Sequence, residues 1–395
     1  MLMTKIWPPD IAGHLGTMQP SMTLAITSKA KALLAKGEDV VAMSAGEPDF
    51  DKPKHIKDAA VRALAAGQTK YTPTSGLPAL REAIAEKMLH ENGVVCDSRQ
   101  VVVAPGAKFS VFSAIAVLCN PGDEVLLPMP SWLSYAEMVR AAGGVVVPVP
   151  TSAEHDYCAR PEDIAERIGP RTKLLILNTP SNPTGGIWNR AALTDVGRLA
   201  VEHGFAILAD EIYEKLVYDG FEHVSIASLS DDIREHTITV NGFSKAFAMT
   251  GWRLGYSVSP KWLAPRIAAL QSHTTSNATS FAQAGALAAL QGPQGPVESM
   301  RTAFEARRDR IYHRLTAIPR LQVRRPRGAF YIFPDIGETG LDSMEFAQRA
   351  LDEVGVAVIP GRPFGADKNV RLSYACSMEA IERACERLET FCNTL

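Results

Sequence analysis

Gly242-Phe243-Ser244-Lys245-Ala246-Phe247-Ala248-Met249-Thr250-Gly251-Trp252-Arg253-Leu254-Gly255 joins two apolar runs, Thr237-Ile238-Thr239-Val240 and Leu254-Gly255-Tyr256-Ser257-Val258. Both runs have the β-branched and aromatic texture of buried strands. The lysine between them is flanked by small residues, and an arginine follows eight positions on. Such an amine can form a Schiff base with an aldehyde cofactor while a guanidinium fork grips that cofactor's phosphate. Alone, a Ser-Lys pair reads more simply as a solvated surface charge. The reading therefore turns on what the rest of the chain supplies.

Working outward, further apolar runs fall at Val101–Ala104, Glu124–Leu127, Gly144–Val147, Lys173–Leu177 and Phe205–Ala209. Amphipathic stretches at Ala107–Cys119, Ser134–Ala142 and Arg190–His203 separate several of them. Continuous apolar strands alternating with helices imply an α/β fold, a mostly parallel sheet covered on both faces. Gly292-Pro293-Gln294-Gly295-Pro296 is the clearest break in the second half. After it come a long charged helix over Val297–Ala317, a mixed segment at Ala329–Phe333 and a helix over Met344–Glu353. A strand over Val356–Ile359 and a helix from Met378 complete the chain. The expected organisation is a large domain over 48–290 and a small α+β domain from 1–47 and 291–395.

The chain has 395 residues, enough for two domains. A net charge of -2 offers no broad electrostatic case for nucleic acid or an anionic membrane. No apolar run approaches the roughly 20 residues that span a bilayer, and Met1–Asp10 lacks the apolar core of a signal peptide. The cysteines lack C-x-x-C spacing and the histidines form no H-E-x-x-H pattern, so reduced thiols and no metal are expected. A cytoplasmic protein follows from these features as an expectation.

In open α/β sheets ligands bind beyond the carboxyl ends of the strands. Four candidates fall there independently: Gly106, Asn182, Asp210 and Lys245. Pro105-Gly106-Ala107-Lys108 is a strand-to-helix turn whose N–H groups can cradle a phosphate with help from Arg253 and Ser244. Close packing alone also produces such a turn. Asp210, in Ala209-Asp210-Glu211-Ile212-Tyr213, can hold a pyridine nitrogen protonated, or merely cap a helix. Tyr213 can donate to a phenolic oxygen. Asn178-Thr179-Pro180-Ser181-Asn182-Pro183-Thr184-Gly185-Gly186 has the composition of a rigid turn. Trp132 can stack on a ring or serve the core. No G-x-G-x-x-G or G-x-x-x-x-G-K-[ST] occurs, which argues against dinucleotide or ATP binding in the usual ways.

The combination of Ala45-Gly46-Glu47-Pro48-Asp49-Phe50, Tyr71-Thr72-Pro73, the N-P-T-G turn, Asp210-Glu211-Ile212-Tyr213 and the Lys245 stretch resembles the class I aminotransferases. It is most similar to their bacterial aspartate aminotransferase subgroup, from about Ser21 to the C-terminus. The resemblance implies the PLP-dependent transferase fold (fold type I) and pyridoxal 5′-phosphate as cofactor. It implies ping-pong transfer of an amino group from an acidic amino acid (aspartate or glutamate) to a 2-oxo acid through a Lys245 aldimine. Asp210 would pair with the ring nitrogen, Asn182 and Tyr213 with the phenolic oxygen, and Trp132 would stack on the ring. Gly106, Ala107, Lys108, Ser244 and Arg253 would surround the phosphate, and Asn182–Pro183 would be cis. Arg371, in Asn369-Val370-Arg371-Leu372-Ser373-Tyr374, would clamp the substrate carboxylate opposite Gly46. Tyr71 would reach the neighbouring subunit's phosphate site, implying a homodimer. Gly242 departs from a pattern in which a serine bonds the phosphate. No Lys or Arg lies between Arg266 and Arg301, where the animal-type enzymes place the arginine that reads an acidic side chain. The resemblance to the bacterial subgroup, which uses a lysine of the phosphate-cup turn instead, implies that role for Lys108. The same site could serve aromatic amino acids or prephenate, or perform a lyase reaction. The fold also serves as a PLP-binding sensor in transcription regulators, which need a fused DNA-binding module.

Overall fold

Runs of Val, Leu and Ile without polar alternation build the central sheet of the computed structural model, which describes residues 13, 15, 16 and 18–395. Met1–Asp10 lies outside the described residues, as do parts of the segment up to Thr17. Seven strands pair in the order Val101–Ala104, Gly255–Val258, Thr237–Gly242, Ala206–Asp210, Thr172–Asn178, Glu124–Met129, Val145–Pro150. Only Gly255–Val258 runs against its neighbours, and the other adjacent pairs are parallel. All seven strands were expected from the sequence; the antiparallel one was not distinguishable there.

Both faces of the sheet are buried, which is why its strands carry no polar alternation. Leu174 and Ile176 pack with Ile115 from the helix Ala107–Leu118. Their neighbours Leu175 and Leu177 point the other way, onto Leu193 and Val196 of the helix Arg190–His203. That helix starts where the Asn189 side chain accepts from Ala192 N at 2.9 Å and stops at Gly204, φ 71°. The helices Lys54–Ala65 and Ser280–Gln291 escaped the sequence reading. Ala282, Ala286 and Ala289 let the second pack closely, and so alanine-rich a stretch carries little amphipathic contrast.

The chain ends meet in a second assembly. Helices Gly295–Thr316, Ser343–Val354 and Met378–Asn393 flank a three-stranded sheet of Ile359–Pro360, Val370–Ser373 and Tyr331–Ile332. The strand expected over Val356–Ile359 is split. Val356–Ala357 pairs in parallel with Val41–Ala42, whereas Ile359–Pro360 pairs antiparallel with Val370 and Arg371, so the two halves serve different sheets. Ile311, Leu315, Phe346, Ile381 and Leu388 share one core with Ile212, Tyr213 and Leu216. That shared core positions the turn after Asp210 against the residues around Arg371.

Behind the same turn lies a buried charged network. Lys87 pairs with Glu214, whose other oxygen accepts from Asn92 Nδ2 at 2.7 Å. Ser225 donates to Glu211 at 2.8 Å, and His223 Nε2 lies 3.0 Å from that carboxylate. Burial pushes the Glu214 carboxyl up, but Lys87 and His223 outweigh it and hold it at about 2. Glu211, Glu214 and His223 stand close enough to surround a cation. Both Glu214 oxygens are already taken, so the cluster reads as a self-neutralising ion network. Among the described residues no helix is long and apolar enough to cross a membrane.

Candidate active site

A cavity of ≈ 550 Å³ opens at the carboxyl edge of the sheet, between the central strands and the second assembly. Lys245, Asp210, Asn182, Tyr213, Trp132 and Arg371 all line it. Residues far apart in sequence meet here because parallel strands deliver their C-termini to one edge.

Lys245 follows the Thr237–Gly242 strand, and its amine donates to Gly46 O. Burial, then the Arg371 guanidinium, lowers the amine to about 8. Asp210 ends its strand with both oxygens engaged: Tyr135 donates to Oδ2 at 2.7 Å and Ile212 N to Oδ1 at 3.2 Å. Burial raises this carboxyl to about 6, against the pull of those two hydrogen bonds. Tyr135 meets Trp132 edge-on, 5.1 Å between centroids, fixing the indole in the wall. Asn182–Pro183 is cis, as are Thr179–Pro180 and Met129–Pro130. Asn182 N is held by Asn178 Oδ1 at 2.8 Å, which aims its side chain at Arg371.

Arg371 is 1% exposed. It donates to Asn182 Oδ1 at 2.9 Å and to Ser44 O at 3.0 Å, while its Nε has no partner. No carboxylate among the described residues pairs with it. A buried cation left with neutral acceptors is costly, and an arriving carboxylate removes that cost.

At the other end of the cavity, Gly106 (φ 93°) opens the helix Ala107–Leu118. A Cβ on Gly106 would come within 2.5 Å of Arg253 Nη2, and one on Gly255 within 2.1 Å of Ala107 N. Glycine at both positions creates a cradle at a helix N-terminus with a guanidinium beside it. Ser244 and Arg253 line the same end. Gly242 lies opposite Gly255, where a Cβ would meet Gly255 Cα at 2.8 Å. A side chain at Gly242 would require that backbone to shift. Lys108 lies 4.8 Å above the Trp132 ring and 3.5 Å from Ser134 Oγ. Burial, then Arg253, lowers its amine.

Comparison with known proteins gives the family. The family model for aminotransferase class I and II matches residues 38–388. The chain belongs to that family. An aspartate aminotransferase of Geobacillus stearothermophilus is 47% identical, over 96% of this chain and 98% of the relative. An aspartate/prephenate aminotransferase of Thermus thermophilus is also 47% identical, over 95% and 97%. The solved structure of an aspartate aminotransferase from Thermus thermophilus with maleate superposes with a TM-score of 0.93 at 45% identity, covering 96% of this chain and 99% of that one. The protein is thus a transaminase of the PLP-dependent transferase fold, and its cofactor is pyridoxal 5′-phosphate. The residues present fit that group. An amine brought near neutrality, a carboxylate at the strand end and a glycine-arginine phosphate cradle lie in one cavity.

Of the residues expected from sequence, Tyr71 stands apart: it is 90% exposed and outside the cavity. Sequence reasoning missed Tyr135, Ser44 and Tyr331. Tyr135 stands three residues past Trp132, at the start of the helix Ser134–Ala141. Ser44 contributes only its backbone oxygen to Arg371, which no residue pattern signals.

Proposed function

We propose that this aminotransferase moves the amino group of aspartate or glutamate to a 2-oxo acid in a ping-pong cycle centred on Lys245. The observation that carries the reading is Arg371, a buried cation with no carboxylate of its own, facing the same cavity as Lys245 and Asp210. When bound, pyridoxal 5′-phosphate supplies an aldehyde and an electron-accepting ring. Lys245 then has two tasks, to hold the cofactor and to move a proton at the substrate Cα. An amine at about 8 is partly unprotonated near neutral pH, which suits a base. Asp210, steadied by Tyr135 and Ile212, holds the proton on the ring nitrogen. Tyr213 and Asn182 serve the ring oxygen, and Trp132 covers the ring. Gly106, Ala107, Lys108, Ser244 and Arg253 hold the phosphate. Arg371 grips the substrate α-carboxylate with Gly46 opposite.

Lys108 is assigned to the second carboxylate of an acidic substrate. Its place on the cavity wall supports this, as does the maleate of the Thermus relative, a dicarboxylate. A second reading is favoured by a neighbouring apolar chamber that shares Lys108 and is lined by Phe109, Phe112, Leu133 and Met138. It would suit a ring-bearing substrate such as prephenate or an aromatic amino acid. The proposal includes a cytoplasmic homodimer in which the exposed Tyr71 completes the neighbouring subunit's site. It also includes a large domain over 48–290 and a small one from 1–47 and 291–395. A panel of amino donors, with 2-oxoglutarate, oxaloacetate and prephenate as acceptors, tests the specificity. Aspartate and glutamate should dominate; phenylalanine, or glutamate with prephenate, leading by tenfold or more would overturn it in favour of the second reading.

A further inference from the structure

Several residues of the proposed site converge on a side chain that has no role in it so far. Tyr331 is buried yet faces the cavity. It lies on the short strand Tyr331–Ile332, in register with Ser373 on the strand that carries Arg371. Its hydroxyl is 2.9 Å from that of Tyr213. Its ring underlies the Arg371 guanidinium, 4.4 Å from Cζ to centroid. A Cβ on Gly46 would stand 3.0 Å from its hydroxyl oxygen, so glycine there leaves that oxygen room.

Two phenols at this separation share one hydrogen bond, and the better acid donates. Burial pushes both upward. Tyr213 is pushed well above the ordinary range by burial and then by Tyr331; Arg371 draws it back and Asp210 adds to the rise. Tyr331 is raised by burial but drawn back by Arg371, the cation over its ring. Arg371 stands 4.4 Å over the Tyr331 ring, whereas Lys245 is 5.7 Å from the centre of the Tyr213 ring, so the closer cation favours Tyr331 as the donor and Tyr213 as the acceptor. The hydrogen of Tyr213 is left to point into the cavity, where an anionic ring oxygen would accept it.

We propose that Tyr331 is a positioning residue with two separable effects: its hydroxyl sets the direction of the Tyr213 O–H, and its ring seats Arg371. This rests on the roles given above to Tyr213 and Arg371. The side chain also accounts for a glycine at position 46, where a Cβ would stand 3.0 Å from the Tyr331 hydroxyl oxygen. Phenylalanine at 331 keeps the ring and loses the donor; leucine loses both.

The holoenzyme loaded with pyridoxal 5′-phosphate provides the test, read by the pH midpoint of its visible absorbance and by kcat and KM for aspartate. Tyr331→Phe should raise the absorbance midpoint and lower kcat about three- to tenfold, the worth of one buried hydrogen bond, with KM unchanged. In a Tyr213→Phe background the same change should leave the midpoint where it is. Tyr331→Leu should in addition raise KM about tenfold, as expected for losing a buried cation–π contact. A Tyr331→Phe midpoint equal to wild type, or a shift that persists without the Tyr213 hydroxyl, overturns the first effect. A wild-type KM in Tyr331→Leu overturns the second. A wild-type protein lacking both cofactor absorbance and transamination would sink the underlying reading, and this inference with it; a normal wild type with unshifted variants sinks this inference alone.

Discussion

Replacing Arg371 with methionine separates a substrate clamp from a structural arginine. The change roughly conserves volume and removes two hydrogen bonds, to Asn182 Oδ1 at 2.9 Å and Ser44 O at 3.0 Å. Each orphaned acceptor costs about 1 kcal/mol or more. Against this, a buried cation with no carboxylate partner is removed, which relieves a desolvation cost of the same order or larger. Folding stability should therefore change by no more than about 2 kcal/mol in either direction. Substrate binding has no such compensation. Truncating one partner of a buried, hydrogen-bonded charge pair costs about 2–5 kcal/mol, or roughly 30- to 5,000-fold in kcat/KM at about 1.36 kcal/mol per tenfold. Urea melts of the cofactor-free protein and steady-state assays with aspartate and 2-oxoglutarate give the two numbers. Near-wild-type KM together with a loss of about 3–5 kcal/mol in stability, the signature of a broken structural ion pair, would make Arg371 a structural residue and not a clamp.

Competitive amine labelling of the cofactor-free protein should find Lys245 titrating near pH 8, because burial and Arg371 both disfavour its charge; in Arg371→Met the midpoint should rise, and a wild-type value in the ordinary lysine range would contradict the site electrostatics. Lys108→Ala should lose kcat/KM for aspartate about tenfold more than for phenylalanine, since only the former has a second carboxylate for an ammonium to meet; equal losses would restrict Lys108 to the phosphate. Glu214 is held at about 2, below its unfolded value, so its pairing stabilises the fold above the ordinary glutamate range and less and less as pH falls toward 2. Lys87→Met should therefore cost about 3–5 kcal/mol at pH 7 and less near pH 3, and melts showing the same loss at both pH values would count against it.

The strands of the central sheet were legible because burial on both faces leaves them wholly apolar, as in Leu174–Leu177. Their order, and the reversed direction of Gly255–Val258, were not, because pairing partners leave no trace in periodicity. The cavity residues on the strand ends, Asp210, Asn182 and Lys245, could be read because each follows its own strand. Arg371 was assigned only through family resemblance; its unpaired state depends on Ser44 and Asn182, which approach from distant parts of the chain. Tyr331 stood in the mixed segment Ala329–Phe333, whose apolar and aromatic composition carries no signal of a site, and it is buried. Its hydroxyl acquires meaning only when Gly46, Tyr213 and Arg371 are brought around it.

We propose that one amine at the carboxyl edge of the sheet carries the cofactor. Borohydride reduction of the protein loaded with pyridoxal 5′-phosphate, followed by peptide mass spectrometry, locates that amine. A single reduced adduct is expected, on Lys245. An adduct on Lys108 or another lysine, or none at all, would contradict it.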